Sequence, residues 1–546
     1  MAEQVTRRSP SATLLNLLAV TAATGALVPA IILSGPLGLF GLIGVITIGS
    51  AWLVLRHRRR GLVSAPVGLA AATALVAIVP LASVVLTPTT SRPWIVPLFL
   101  SVAAGARLSW VIGDGAQRLV EAIVWIFVYV FFGLAPLVQM RTGIDPVTTP
   151  FVDHSLDARA LTVVVSGVCA LGLGLFVARR RLPPGNHADT APAVRPERVT
   201  ALSIVGLLCA GYFVAKVGVG PLLSSRVELD RAANAAWSDS TTVAVVRALS
   251  MMPLLVAFVA LRIEKARSLS RGWFRTTALP AVTGTVLLLV ANPIGNARYT
   301  SGTVYLAVLA SLGLVATRPR FRAMCAGFVA SLVLLFPLAD AYRYSTTASF
   351  KETDPVAALT TGDFDAFAQV VNTVQYVELH GITYGYQALG PLVFWIPRDV
   401  WPAKPIDTGI LLANSRGYDF TNLSAPLWTE LFINGGWGAL LVGMFVFGML
   451  IRRWDSGIMQ ALERAPTPGL LACILPFYLL ILLRGSLLQA TAALALLAGS
   501  GWFVRERRPR LSWPFSGNRP RAADSPQVGV RSVRPGMPMH GDRSTL

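Results

Sequence analysis

The chain has 546 residues, 54% hydrophobic and only 14% charged, with a formal net charge of +20. A soluble globule carries about 25% charged residues, so this composition excludes an ordinary water-soluble enzyme and indicates a bilayer. On a soluble domain the basic excess would suit a polyanion; here its distribution decides.

A helix crosses the hydrocarbon core with about 20 mostly apolar residues. In chain order, spans are expected at approximately 12–34, 37–55, 62–86, 94–106, 119–140, 160–178, 200–220, 241–261, 278–293, 301–317, 323–341, 434–451, 468–483 and 487–504, about fourteen in all. The first is too long for a signal-peptide core and reads as retained. The fold class is therefore all-α and polytopic. Every second connection is basic: Arg56–Arg60, Arg179–Arg181, Arg262–Arg275, Arg318–Arg322 and Arg452–Arg453. By the positive-inside rule both termini are cytoplasmic. That topology places 33 Lys and Arg against 11 Asp and Glu on the cytoplasmic side, and 14 against 16 on the outer side. The +20 is thus a topology signal and not a nucleic-acid footprint.

Four parts follow: N-terminal spans over 1–341, a large outer loop over 342–433, C-terminal spans over 434–504, and a basic, Pro- and Ser-rich tail over 505–546 that reads as disordered. The four cysteines and five histidines are scattered without ligand spacing, so no metal site is expected. A loop of about 90 residues usually carries function or its own structure. Phe364, Phe367, Val371, Val374 and Val377 recur at helical spacing and predict an amphipathic helix lying on the membrane face. Leu389 to Trp401 is apolar but too short to span, and reads as re-entrant or interfacial.

The polar residues around it are the candidates for chemistry. Arg398 and Lys404 sit in a proline-stiffened segment, Pro397 to Pro405, followed by Arg416. Arg298 lies in the turn Asn296–Tyr299, and Arg343 where the eleventh span exits. These arginines oppose the positive-inside bias, and converging guanidiniums suit a diphosphate. Arg247 and Arg484 also lie near outer span ends, where an arginine can instead snorkel to headgroups. Glu430 and Asp399 are the candidate catalytic carboxylates, with Glu430 equally able to serve a helix N-terminus. Trp395 and Trp401 read as interfacial anchors or a substrate-facing surface, with Asn434 at the entry to the next span.

The run Gly362-Asp363-Phe364-Asp365, the segment Phe394 to Pro405 with its Pro-Arg-x-x-Trp-Pro-x-Lys-Pro pattern, and Glu430 to Gly438 resemble O-antigen polymerases, the Wzy-type oligosaccharide repeat-unit polymerases. The similar region covers roughly 290–440. The resemblance implies a GT-C-like membrane glycosyltransferase in the bacterial inner membrane, without a cofactor or nucleotide donor. It implies a polyprenyl-diphosphate-linked oligosaccharide as substrate, membrane lipids as surroundings, and flippase and chain-length regulator proteins as partners. Arg298, Arg343, Arg398, Lys404 and Arg416 would then hold the diphosphate, with Arg398 also catalytic beside Glu430 or Asp399. An O-antigen ligase, for which His380 is the one loop histidine, is an alternative within the same chemistry; a flippase or exporter of lipid-linked sugar is an alternative outside it.

Overall fold

The computed structural model describes residues 65–181, 194–237, 240–266, 272–332, 357–396 and 398–506. The first two expected spans, Arg343, Pro397 and the C-terminal tail lie outside these residues. Among the described residues the chain is helical, with one isolated bridge between Val194 and Arg505 and no named strand. Eight helices are long and apolar enough to cross a membrane. They are α1 (Pro66–Val85), α2 (Ile95–Asp114), α3 (Leu119–Thr142), α4 (Asp157–Arg181), α5 (Pro196–Val217), α7 (Ser240–Ala266), α14 (Leu427–Arg464) and α16 (Leu487–Val504). Each coincides with an expected span. Two more expected spans appear as shorter apolar helices, α8 (Phe274–Val290) and α15 (Leu470–Arg484). Between them come α6 (Arg226–Ala236), α9 (Arg298–Ser311), α10 (Arg318–Ala330), α11 (Ala366–His380), α12 (Tyr386–Leu392) and α13 (Thr408–Arg416).

α3 is the centre. It is apolar on every face, so it needs apolar neighbours on every face, and its apolar stretch is wholly buried. A π-helical segment, Val128–Leu134, runs through it, and Gly133 there leaves no room for a β-carbon against Ser101 of α2. Phe127, Phe131 and Phe132 of α3 pack with Trp428 of α14, Phe364 and Tyr299, at centroid separations of 4.8 to 6.4 Å. These rings join the spans to the residues preceding α11 and starting α9.

α4 and α14 pack at glycine contacts. A β-carbon on Gly174 would overlap Phe445 O, one on Gly448 would overlap Leu171 O, and one on Gly167 would overlap the Trp428 indole. Small residues let membrane helices approach this closely. α14 has 38 residues but is not one straight rod: Gly435 (φ −155°) and Gly436 (φ +58°) break it. The positive φ at Gly436 is a conformation that glycine adopts without penalty. The expected span start at 434 falls at this break.

The structure corrects one expectation. The helix at 366–380 forms, but it does not lie on a surface. Every residue from Ala366 to Val374 is buried, on both faces of the helix. Its polar face is internal because it finds partners there: Thr373 Oγ1 donates to Gln369 O at 2.6 Å and lies 3.2 Å from Thr429 Oγ1, and Asn372 Nδ2 donates to Gln369 Oε1 at 3.1 Å.

Candidate functional site

Four connections converge beside α11. The turn before α9 is built by two asparagines. Asn292 Oδ1 accepts from the amides of Ile294 (3.1 Å) and Gly295 (2.9 Å), while Asn296 Nδ2 donates to Val290 O (2.8 Å) and Asn292 O (3.1 Å). This sets Arg298 and Tyr299 on the first turn of α9. Arg298 Nη1 binds Asp363 Oδ2 at 2.8 Å, and Tyr299 OH donates to Asp363 O at 3.0 Å. From the end of α15, Arg484 donates to Asp363 O (2.9 Å), Gly362 O (3.0 Å) and Asp365 Oδ1 (3.0 Å), with its guanidinium 4.9 Å from the Tyr299 ring centroid. Asp365, also buried, accepts from Ser424 N at 3.2 Å. One network thus ties together the 292–299, 362–365, 420–424 and 484–486 segments.

These segments wall a cavity of about 800 Å³. One part of its wall is cationic: Arg226, Arg247, Arg298 and Arg484 line it, with Asp363 the only lining carboxylate among the described residues. Asp230 stands beside two of them, 2.9 Å from Arg247 and 3.6 Å from Arg226. The other part is apolar, from Ala248, Met251 and Met252 of α7 and Tyr478, Ala490 and Ala493 of α15 and α16. Several buried wall atoms have no hydrogen-bond partner among the described residues, including Arg247 Nε, Asn296 Oδ1 and Ser424 Oγ. The arrangement can hold an amphiphile with an anionic head: guanidiniums give charge-assisted forks to phosphate-type oxygens, and the helices cover a tail.

The candidates named from sequence are distributed as follows. Arg298 lines the cavity; Arg398, Lys404, Arg416, Asp399, Glu430, Trp395, Trp401 and Asn434 do not. Arg398 donates to the carbonyls of Lys404 (3.0 Å) and Pro405 (3.1 Å), and Lys404 Nζ donates to those of Phe394 (2.7 Å) and Ile396 (2.9 Å). The two cations clasp one compact loop, and burial, with Arg398 adjacent, pulls the Lys404 ammonium below its ordinary value. Arg416 Nη1 reaches Gln375 Oε1 at 2.5 Å and its Nη2 bonds Phe151 O. Buried Glu430 accepts from Leu487 N and Thr408 Oγ1, both at 3.0 Å, and so serves the start of α16 from behind the wall. Asn434 Oδ1 accepts from Ala388 N at 2.9 Å and fastens α12. Asp399 is exposed, and Trp395 is 70% exposed beside Leu392 at 72% and Val400 at 75%, an apolar rim on the same loop.

Sequence reasoning passed over Asp363 as a site residue, gave Arg247 and Arg484 no role, and did not single out Arg226. The available signal was an arginine at an outer span end, which Arg247 and Arg484 share; Arg226 instead opens α6 in the connection between two spans. Comparison with known proteins finds no matching family model, no matching curated protein and no matching solved structure.

Proposed function

We propose that this is a polytopic glycosyltransferase of the bacterial inner membrane that polymerises polyprenyl-diphosphate-linked oligosaccharide repeat units at the outer face. On this reading the about fourteen spans, the large outer loop and the cytoplasmic termini stand as the basic connections indicate. The observation that carries it is the cavity: four arginines beside an apolar wall, all on segments that the charge pattern assigns to the outer side. A lipid diphosphate matches both parts of that wall. The resemblance of the 362–365, 394–405 and 430–438 segments to O-antigen polymerases agrees with it.

In the reaction, an acceptor hydroxyl attacks the anomeric carbon of the donor. The new glycosidic bond forms as the bond from that carbon to the diphosphate oxygen breaks. The bonding pair leaves with the polyprenyl diphosphate, and the hydroxyl proton passes to a carboxylate. Arg226, Arg247, Arg298 and Arg484 stabilise the charge that develops on the departing diphosphate. Asp363 is the carboxylate placed to accept the proton, ahead of Glu430 and Asp399, because it alone lines the cavity among the described residues. Arg398 and Lys404 shape the loop that packs beside Gly390, which approaches both Pro405 and Leu488 at the start of α16.

The test is purified protein in lipid nanodiscs supplied with one lipid-linked repeat unit. A ladder of glycan lengths is expected. Arg247→Gln should reduce elongation by about tenfold or more, the scale of one lost charge-assisted bond, at unchanged protein level. Transfer only to a separate acceptor would replace this reading with a ligase, and no new glycosidic bond would replace it with a transporter.

A further inference from the structure

A second arginine cluster lies at the other end of the helices, unused by the proposed reaction. Trp110, near the end of α2, has the guanidiniums of Arg107, Arg118 and Arg179 at 4.5, 4.3 and 5.7 Å from its ring centroid. Together with Glu121, Leu175 and Arg452 they line a small cleft. These residues come from the ends of α2, α3 and α4 and from the middle of α14, so the site is assembled by four elements.

The cations there outnumber their partners. Arg107 pairs with Glu121, and Arg118 pairs with Asp114. A third acid, Asp455, is fully buried and is engaged elsewhere, accepting from the amides of Val120 (2.8 Å) and Glu121 (3.0 Å). Arg179 and Arg452 have no carboxylate partner among the described residues. Arg118 is 8% exposed, and its Nε is buried with no hydrogen-bond partner among the described residues. Glu121 Oε2 in the same lining is likewise buried without a hydrogen-bond partner among the described residues, so it is the two guanidiniums without a carboxylate partner, Arg179 and Arg452, that ask for an anion with several acceptor oxygens.

We infer that this cleft binds a phosphate group. Its oxygens would accept from the forks of Arg179 and Arg452 at the mouth of the cleft, with Trp110 and Arg118 behind them. The enclosed part of the cleft holds about 10 Å³, the room of one water, so a headgroup phosphate sits at its mouth and not inside it. Its place at the ends of apolar helices, beside a tryptophan, is where phospholipid headgroups lie, so the carrier is an anionic phospholipid of the leaflet opposite the cavity. The inference is independent of the proposed chemistry.

The experiment compares the delipidated full chain with its Arg179→Gln/Arg452→Gln double variant, whose replaced side chains hold no ion pair and should leave the fold intact. Native mass spectrometry reads retention of phosphatidylglycerol against phosphatidylcholine, and thermal unfolding reads the response to inorganic phosphate. The expected result is that the double variant binds phosphatidylglycerol about tenfold more weakly, with phosphatidylcholine retention alike in both. Arg179→Lys/Arg452→Lys, which keeps the charge and loses the fork, should fall between them and also reports should the glutamine variant fold poorly. Stabilisation of the native protein by inorganic phosphate alone would keep the phosphate site and assign it to a free anion. Equal lipid retention and equal phosphate response across all three proteins would overturn the proposal.

Discussion

At Asp407, capping and burial compete on one side chain. It caps α13, its Oδ1 accepting from the amides of Gly409 (2.9 Å) and Ile410 (3.4 Å), while its Oδ2 is buried without a hydrogen-bond partner among the described residues. Burial pushes the carboxyl above its ordinary value of 3.8, and the amide bonds pull the other way without cancelling it. A folded-state pKa above the unfolded one means the folded protein holds the proton more tightly. That contribution to stability is complete below about pH 4 and is lost as pH rises through the raised value. Asn is as good a cap as Asp and carries no charge. Asp407→Asn should therefore melt at or above the wild type at pH 7 in detergent, with the difference closing towards pH 4; a variant clearly less stable at pH 7 would contradict this. Arg484 gives the opposite case. Its removal strands the buried Asp365, so Arg484→Ala should cost about 3–5 kcal/mol, read as loss of folded protein after extraction. Arg298 and Arg484 were visible in the sequence as arginines on the unfavoured side of the membrane. Asp363 was not visible as their partner, because it meets them only across 65 and 121 residues of chain.

At the scale of elements, hydropathy located the long helices well, since length and apolarity are properties of the segment itself. What it missed concerned surroundings. The periodicity of α11 correctly indicated a helix with an apolar face, but Gln369, Asn372 and Thr373 looked like a solvent face and are instead an internal polar seam. Whether a polar face meets water or another helix depends on the partner's side chains, here Thr429, which one segment does not contain. Close approach of helices was equally hidden, since a glycine in a span has the same composition whether it faces lipid or a backbone. The contrast can be measured. Gly174→Ala should destabilise by about 1–3 kcal/mol, as overpacking does, because its β-carbon would meet the Phe445 carbonyl. Gly211→Ala on α5, with nothing within 4 Å of the added carbon, should be neutral or slightly stabilising. Equal effects at the two positions would mean that α4 and α14 do not pack through this glycine.

For the whole molecule, the polar contacts sort into two sets that do not mix among the described residues. Arg92 binds Asp145 and Asp157, Arg159 binds Glu378, Arg416 bonds Phe151 O, and the Arg298–Asp363–Arg484 network closes the cavity. In the other set Arg107 binds Glu121, Asp455 accepts from the start of α3, Arg322 donates to the Ile112 and Gly113 carbonyls, and Arg275 reaches Glu264 and Pro196 O. Every member of the first set lies in a connection that the arginine pattern assigns to one side, and every member of the second in a connection assigned to the other or at the span end beside one. The alternation of charge was read without any contact, and the contacts involve no count of charge, so their agreement supports grouping these connections into two sets. Which set faces the cytoplasm rests on the positive-inside bias. Single cysteines placed in a chain whose own four are replaced by alanine decide it. Val147, 87% exposed in the first set's territory, and Thr317, exposed before α10, suit the purpose. In intact spheroplasts a membrane-impermeant maleimide should label V147C and leave T317C unlabelled until the membrane is opened. Labelling of both before opening would break the two-sided arrangement, and labelling of T317C alone would invert the molecule, moving the arginine cavity to the cytoplasmic face and removing the case for chemistry at the outer surface.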